Sequence, residues 1–252
     1  MTVKIGLVQM FCEKAAIEQN LQAIQDYVNQ AVALGLDFLC FPEMSITGYI
    51  NPQKDLEAVL SLNSPTVSRF VEMSRDNNLT LIAGIVEGNP AGKPFITQLV
   101  ARHGQLTGYY RKITIADDEK EFFDPGSEVQ TFPDSKIPFG LSICADIGNP
   151  AVFRDSARAG AKIIFEAAAP GLYGSQAERN WESGYNWWKE ECATNLGRYA
   201  RENQVYIAVA TQAGRTRDED FPGGGYLFGP DGSRLASTED YSPGLLVVTL
   251  PE

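Results

Sequence analysis

Three side chains of the sequence have types and positions suited to catalysis. Glu43, Lys112 and Cys144 each come directly after a run rich in apolar or aromatic residues. A carboxylate at the mouth of a buried strand is partly desolvated, which raises its pKa toward that of a useful base. A walled-in ammonium can stabilise an oxyanion, and a thiol beyond a strand end can act as a nucleophile. The three residues therefore predict a base, an electrostatic stabiliser and a nucleophile.

Each of these residues also has a purely structural interpretation. Glu43 fits a helix cap or a surface turn, and Lys112 fits a solvated basic side chain at a strand end. Cys144 fits a buried structural cysteine, because free cysteines are among the most buried residue types. Taken one segment at a time, these alternatives stay open.

Other common catalytic sets are missing from the sequence. The single histidine, His103, lies in a predicted hairpin turn beside Gly and Gln, where we expect a solvent-exposed side chain. Ser–His–Asp and Cys–His catalysis both need a histidine base, and a zinc or iron site needs clustered histidines or cysteines. The remaining cysteines are scattered; Cys40 and Cys192 fit core packing, and we expect Cys12 to be partly exposed. We therefore predict no metal and no cofactor, and chemistry carried by carboxylate, lysine and thiol.

Composition narrows the possible partners. The 252 residues include 21 Lys and Arg against 32 Asp and Glu, for a formal net charge of −11. Such a protein repels phosphate backbones and anionic lipid surfaces, so we expect no nucleic-acid partner and no membrane partner. The absence of a long apolar run, of a secretory signal and of paired cysteines predicts a cytoplasmic protein. No linker or repeat divides the chain, and we predict one domain over residues 1–252.

The first quarter of the chain alternates strand and helix signals. Residues 3–8 and 38–41 are short apolar runs typical of buried strands. Between them lies an apolar stripe at helical spacing that ends at Gly35 and predicts an amphipathic helix. The stripe consists of Ile17, Leu21, Ile24, Val28 and Ala31.

The rest of the chain continues this pattern. Residues 95–101 and 108–110 predict a hairpin, residues 137–143 a strand that runs into Cys144, and residues 150–159 a short helix. Aromatic residues at helical spacing over 181–199 predict a long helix. Trp181, Trp187 and Trp188 could line a pocket, but an aromatic helix face is more often core or subunit contact. The alternation predicts sheets layered against helices, with a sheet-on-sheet core and helices outside both faces.

An ordered set of short motifs along nearly the whole chain resembles the nitrilase superfamily, the carbon–nitrogen hydrolases. Each motif is weak alone, but their order, with a glutamate, a lysine and a cysteine at matching positions, is specific. The motifs are Ile5-Gly6-Leu7-Val8-Gln9, Asn20, Phe41-Pro42-Glu43, Gly48-Tyr49, Tyr110-Arg111-Lys112, Phe123-Asp124-Pro125-Gly126, Ile143-Cys144, Ala200-Arg201-Glu202-Asn203 and Gly229-Pro230-Asp231-Gly232.

The resemblance implies a fold and an assembly. The fold is α/β, a four-layer αββα sandwich of two mixed β-sheets with helices on both outer faces. The assembly is a homodimer or a higher homo-oligomer that extends the sandwich.

The resemblance also implies roles for the three residues. Cys144 is the expected nucleophile, Glu43 the general base, and Lys112, with the backbone N–H of Ala145, the stabiliser of the tetrahedral intermediate. Many relatives carry a second glutamate after the lysine, for which we assign Glu119. Glu121 and the pair at 117–118 are close enough in sequence to remain alternatives.

The substrate pocket is where the chain departs from its relatives. We expect Tyr49, Ala145 and Ala168 to contact the substrate. Ala145 replaces the aromatic residue that usually follows the nucleophile, Ala151 replaces a glutamate, and segment 170–189 is longer and richer in Trp, Gly and Asn. These departures predict a wider or differently walled pocket around an intact catalytic set.

The predicted function is hydrolysis of a non-peptide carbon–nitrogen bond in a small amide or N-carbamoyl substrate, through a cysteine thioester. A nitrilase that acts on C≡N uses the same three residues and is one alternative. The short C-terminus at Glu252 leads us to expect an amidase or carbamoylase instead. A catalytically inactive binding module on the same fold is the other alternative.

Overall fold

The computed structural model describes residues 2–171 and 180–250, which form thirteen strands and four α-helices. The strands are β1 (Val3–Met10), β2 (Phe38–Cys40), β3 (Thr80–Glu87), β4 (Phe95–Arg102), β5 (Gln105–Arg111), β6 (Thr131–Phe132), β7 (Phe139–Ile143), β8 (Ile163–Ala168), β9 (Tyr206–Arg215), β10 (Asp220–Pro222), β11 (Tyr226–Phe228), β12 (Arg234–Ser237) and β13 (Gly244–Leu250). The helices are α1 (Ile17–Leu34), α2 (Pro65–Glu72), α3 (Pro150–Arg158) and α4 (Trp181–Asn203).

Helix α1 forms where the apolar stripe predicts it. Four of the five stripe residues are buried, and Ile17 in the first turn is half-buried. Gly35 ends the helix in the left-handed conformation, with φ of 64°, and its N–H bonds to carbonyls of the last turn. Glycine adopts this conformation without steric cost, which explains the sharp stop.

Hydrogen bonds join the strands into a continuous path rather than the two separate sheets predicted. The order is β5-β4-β3-β2-β1-β9-β8-β7-β6, and β1 meets β9 only through Gln9 with Thr211 and Met10 with Gln212. Parallel pairs lie at the centre of each half, with antiparallel pairs toward the edges. The mixed α/β class is confirmed, and the four-layer arrangement stays a prediction.

Aromatic side chains connect the two halves of this path. The Phe38 ring of β2 lies 5.4 Å from the Phe139 ring of β7 and 5.5 Å from the Phe165 ring of β8. Helix α1 packs on the other side of the first half, and Phe153 of α3 stacks on Tyr199 of α4 at 4.8 Å. The main core therefore lies between strands of both halves, as expected for apolar sheet faces.

The hairpin and the cysteines show one success and one error of the sequence interpretation. β4 and β5 turn at His103-Gly104, both with positive φ, and His103 is exposed as predicted. Cys40 and Cys192 are buried, but the expectation of a partly exposed Cys12 is wrong, since Cys12 is completely buried. Polar neighbours in sequence do not decide its exposure: Cys12 lies in the core cluster with Leu21 of α1, and its carbonyl accepts a buried hydrogen bond from the Gln212 side chain at 3.0 Å. No helix in the described ranges is long and apolar enough to cross a membrane.

Candidate active site

Glu43 stands just beyond β2 in a loop that β3 holds from the side. The amide of Phe41 donates to the carbonyl of Ile82 at 2.8 Å, and the amide of Ile46 donates to the carbonyl of Gly84 at 2.9 Å. A Cβ on Gly84 would lie 2.3 Å from the backbone nitrogen of Met44, so only glycine permits this close approach. The loop thus carries a carboxylate into the interior, where Glu43 is completely buried.

Lys112 follows β5 and meets two carboxylates. Its Nζ lies 2.8 Å from Oε1 of Glu43, and 2.9 and 2.8 Å from Oε1 and Oε2 of Glu119. Only 1% of the lysine is exposed. A buried ammonium needs such partners, because an unpaired charge in the interior is very costly.

Among the carboxylates that the sequence left as alternatives, Glu119 is the one that lies beside Lys112. Its Oε2 accepts a 3.0 Å hydrogen bond from the amide of Ala116, and its Oε1 accepts one from the Tyr49 hydroxyl. Glu121 and the two aspartates at 117–118 are exposed. Sequence position alone could not distinguish these carboxylates, because no residue pattern around 117–121 indicates which side chain faces the interior.

Cys144 begins a short 3₁₀ turn, Cys144–Gly148, directly after β7. Its φ is +44°, a conformation that non-glycine residues rarely adopt. Strained backbone of this kind clusters at active sites, where surrounding contacts hold it in place. The residue is half-buried, so the thiol is neither sealed in the core nor freely solvated.

Asp146 fixes the turn that carries the cysteine. Its buried carboxylate accepts hydrogen bonds from the amide of Ile143 at 3.0 Å, the amide of Thr114 at 2.7 Å and the hydroxyl of Tyr110 at 2.7 Å. Tyr110 and Thr114 flank Lys112 in the chain. Asp146 therefore ties the cysteine segment to the lysine segment, a function that the sequence analysis did not assign to it.

Burial and mutual charge perturb the pKa values of the three central groups. Burial, and the charge of Glu119, raise the pKa of Glu43 to about 7, against the opposing effects of Lys112 and a hydrogen bond from Cys144. Burial and the charge of Glu43 raise the pKa of the Cys144 thiol well above its usual value, although Lys112 opposes this. The thiol is therefore protonated at neutral pH, and the adjacent carboxylate is able to accept its proton.

The pKa of Lys112 is raised as well, by a balance of opposing effects. Burial alone lowers it, but the charges of Glu43 and Glu119 and the hydrogen bond to Glu119 outweigh burial and raise it well above its usual value. The ammonium thus keeps its charge in the interior. A permanent positive charge beside the thiol is suited to stabilising an oxyanion.

A cavity of about 350 Å³ opens onto the cysteine. Tyr49 and Ala145, both expected to bind substrate, line it. Ala168 does not: it ends β8 completely buried, and the lining residue is its neighbour Ala169. The correction follows from strand geometry, because successive side chains face opposite sides. The full lining is Tyr49, Lys112, Ala116, Asp118, Glu119, Cys144, Ala145, Ile147, Ala169, Pro170, Gly171, Trp187, Trp188, Glu191 and Glu219.

Backbone and helix α4 complete the site with groups that the sequence analysis missed. The amide of Ala169 donates to Oε2 of Glu43 at 3.1 Å, so both oxygens of this carboxylate are held. Trp187, Trp188 and Glu191 line the cavity from one face of α4. Their spacing within one helical turn is typical of a shared face, but the aromatic pattern favoured core or subunit contact over a pocket wall.

Two further predictions concern the segment 170–189 and the binding of a metal. Residues 172–179 of the long segment 170–189 lie outside the described residues. Within the described parts of the chain, no group of three His, Cys, Asp or Glu side chains is arranged to hold a metal ion.

The site and the fold together agree with comparisons to known proteins. Residues 4–252 match the family model described as carbon-nitrogen hydrolase, and the chain belongs to this family. Its fold is similar to that of a cysteine-to-alanine mutant of an amidase from Nesterenkonia AN1, of the nitrilase superfamily. That similarity has a TM-score of 0.83 and 25% identity, over 99% of this chain and 91% of the other.

Curated relatives have more varied names. A probable nitrilase of Schizosaccharomyces pombe is 24% identical over 256 residues, covering 99% of this chain and 89% of the relative. A glutamine-dependent NAD(+) synthetase of Acinetobacter baylyi is 24% identical over 234 residues, covering 91% of this chain. This chain spans 40% of that synthetase, and 26% of the corresponding Thermotoga maritima synthetase. The comparisons therefore establish the family, whose members carry several different names.

Proposed function

We propose that the protein hydrolyses a non-peptide carbon–nitrogen bond in a small amide or N-carbamoyl substrate, through a thioester on Cys144. The observation that supports this is the convergence of Glu43, Lys112 and Cys144, distant in sequence, beside one cavity of about 350 Å³. A cavity of this size suits a small molecule. The nucleophile, the base and the fixed cation of a covalent hydrolase are then all present.

The first chemical step forms the carbon–sulfur bond. Glu43 accepts the thiol proton as the sulfur attacks the carbonyl carbon of the substrate. The carbonyl oxygen becomes an oxyanion, which Lys112 and the backbone N–H of Ala145 stabilise. Each such donor contributes about 3 kcal/mol in the transition state.

The next steps release the products. Glu43 returns its proton to the substrate nitrogen, the carbon–nitrogen bond breaks, and ammonia or an amine leaves a thioester behind. Water attacks the thioester carbon while Glu43 takes a proton from it, with Glu119 holding the network through Lys112. The carbon–sulfur bond then breaks, Glu43 reprotonates the sulfur, and a carboxylic acid, or a carbamic acid from a carbamoyl substrate, is released.

An amidase activity and a nitrilase activity need the same three residues. The name of the S. pombe relative favours a nitrilase, whereas the fold of the Nesterenkonia amidase favours an amidase. We prefer the amidase. A nitrile and its matching amide, assayed side by side, separate the two, since turnover of the nitrile alone would contradict our preference.

The proposal is tested by a screen of small amides, ω-amides and N-carbamoyl compounds, with ammonia and amine release as the readout. Cys144→Ala is the central control and is expected to lose at least about 10³-fold in kcat/KM. Cys192→Ala, a thiol buried outside the cavity lining, is the matched variant and should retain turnover. Undiminished activity of Cys144→Ala would refute the nucleophile assignment.

The remaining expectations belong to the same proposal. We propose a single domain over residues 1–252, a four-layer arrangement of helices and strands, and a homodimer or higher homo-oligomer. Sedimentation equilibrium measures the assembly directly, and a monomer at micromolar concentration would contradict the last of these.

A further inference from the structure

The described part of the cavity wall carries more negative than positive charge. Among its described lining residues are four carboxylates, from Asp118, Glu119, Glu191 and Glu219, against one ammonium, from Lys112. Lys112 and Glu119 are bonded to each other within the catalytic network. The remaining charged groups of this lining, which a substrate would meet beyond the catalytic network, are therefore the carboxylates of Asp118, Glu191 and Glu219.

One side of the cavity has its charge only partly neutralised. Lys14 lies 2.9 Å from Glu219, but it also lies 2.6 Å from Asp218 and so is shared between two carboxylates. Burial raises the pKa of Glu219, and the charges of Asp218 and Asp118 raise it further, against the effect of Lys14. On this side three carboxylates, those of Asp118, Asp218 and Glu219, therefore stand against the one ammonium of Lys14.

Glu191 is a half-buried carboxylate that lines the cavity from helix α4. It accepts a 2.7 Å hydrogen bond from the amide of Asn195, and within the described ranges no lysine, arginine or histidine lies within 4.0 Å of it. It stands one helical turn beyond Trp187 and Trp188, whose ring centroids are 6.0 Å apart. The cavity thus places beside two indole rings a carboxylate that has no ionic partner among the residues described by the structure.

We propose that the cavity selects amides whose far end carries a positive charge, with Glu191 as the carboxylate that receives an alkylammonium group. This inference rests on the proposed amidase function and names the substrate class of the same site. The Trp187 and Trp188 rings pack against the methylene chain, while the negative wall attracts the cation. The same wall repels a substrate that ends in a carboxylate, which gives discrimination by repulsion as well as by attraction.

A matched series of primary amides tests the charge preference. 5-Aminopentanamide is cationic, hexanamide is its neutral isostere, and adipamic acid places a carboxylate at the same end. We expect kcat/KM for the cationic amide to exceed that for the neutral one by about tenfold, the order of magnitude of one half-buried ion pair. The anionic amide should be the poorest of the three. Equal values for the cationic and neutral amides would overturn the inference and leave the amidase proposal intact.

Paired variants locate the preference on the helix. Glu191→Gln keeps the size of the side chain and its capacity to accept from Asn195, and should reduce the cationic-to-neutral ratio by about tenfold. Glu190→Gln makes the same change of net charge at an exposed neighbour outside the cavity lining, and should leave the ratio unaltered. An equal loss in both variants would overturn the assignment of Glu191.

Binding to Cys144→Ala separates failure of the inference from failure of the amidase proposal, because it needs no turnover. Isothermal titration should give a Kd for 5-aminopentanamide about tenfold lower than that for hexanamide. This preference without hydrolysis by the unmodified protein would refute the amidase and keep the charge selection. Hydrolysis without this preference would refute the charge selection and keep the amidase proposal.

Discussion

The ammonium of Lys112 lies 2.8 Å from Oε1 of Glu43, although the two residues are 69 positions apart in the chain. The other oxygen of Glu43 accepts a hydrogen bond from the amide of Ala169, just after β8, so the carboxylate cannot rotate freely. The base is therefore held in one orientation before any substrate binds. Preorganised charge of this kind is the main source of electrostatic stabilisation in enzymes.

The pH dependence of activity should report the ionisation of Glu43. Burial raises the pKa of Glu43 to about 7, and only its deprotonated form accepts the thiol proton. We expect kcat/KM to fall about tenfold per pH unit below about 7 and to level off above it. Initial rates between pH 5 and pH 9, with circular dichroism as a control for folding, measure this. A profile that stays flat down to pH 5, as an ordinary glutamate pKa of about 4.3 would give, would contradict it.

Replacement of Glu119 should shift the acidic limb of the pH–rate profile and also slow the reaction. The charge of Glu119 raises the pKa of Glu43, so Glu119→Gln should move the acidic limb to lower pH. Loss of a bonded partner of Lys112 should also lower kcat by about 10²-fold, as for other groups that support proton transfer. Glu121→Gln, at an exposed position two residues on, is the matched control and should leave both quantities unchanged. A limb that stays in place in Glu119→Gln would argue against the coupling.

Asp146 should act as a positioning residue for the nucleophile. Asp146→Asn places an amide where three N–H or O–H groups donate, so at least one buried donor loses its partner. We expect kcat to fall about 10-fold to 100-fold with little change in KM, and unfolding to become easier by about 1–3 kcal/mol. Steady-state kinetics and urea denaturation measure the two effects. Asp155→Asn, in a surface ion pair with Arg154, is the control and should change stability by less than about 1 kcal/mol.

Gly84 should be required for the placement of Glu43. In Gly84→Ala the new Cβ would lie 2.3 Å from the Met44 nitrogen and 2.7 Å from Oε1 of Gln98, so the backbone must shift. We expect a loss of about 1–3 kcal/mol in stability together with a fall in kcat. Gly88→Ala, whose new Cβ would meet Val59 at an ordinary 3.5 Å, is the control. Equal activity of the two variants would contradict the proposed packing of the loop.

The places of the three candidate residues could be predicted from the sequence because they follow strand ends, but only the resemblance to the nitrilase superfamily assigned roles to them. Glu43, Lys112 and Cys144 stand just after β2, β5 and β7, and short apolar runs mark β2 and β7. Helix α1 was equally predictable, since its stripe repeats at helical spacing and Gly35 ends it. These patterns involve residues close together in the chain, so a single sequence is enough to detect them.

The parts that could not be predicted depend on contacts between distant segments. Asp146 has the same type and neighbourhood as any turn aspartate until Tyr110 and Thr114 are brought to it. Ala168 and Ala169 differ by one position along a strand end, and only the pairing of β8 decides which of them meets the cavity. The join between β1 and β9 rests on two residue pairs, too few to leave a pattern in the sequence.

The central claim is that Cys144 forms a thioester with the substrate during turnover. Mass spectrometry of protein quenched in acid at saturating amide, followed by peptide mapping, measures this most directly. We predict an added acyl group on the peptide that contains Cys144, with Cys12, Cys40 and Cys192 unmodified and no adduct in Cys144→Ala. Steady release of ammonia with the Cys144 peptide unmodified at every quench time would contradict the account.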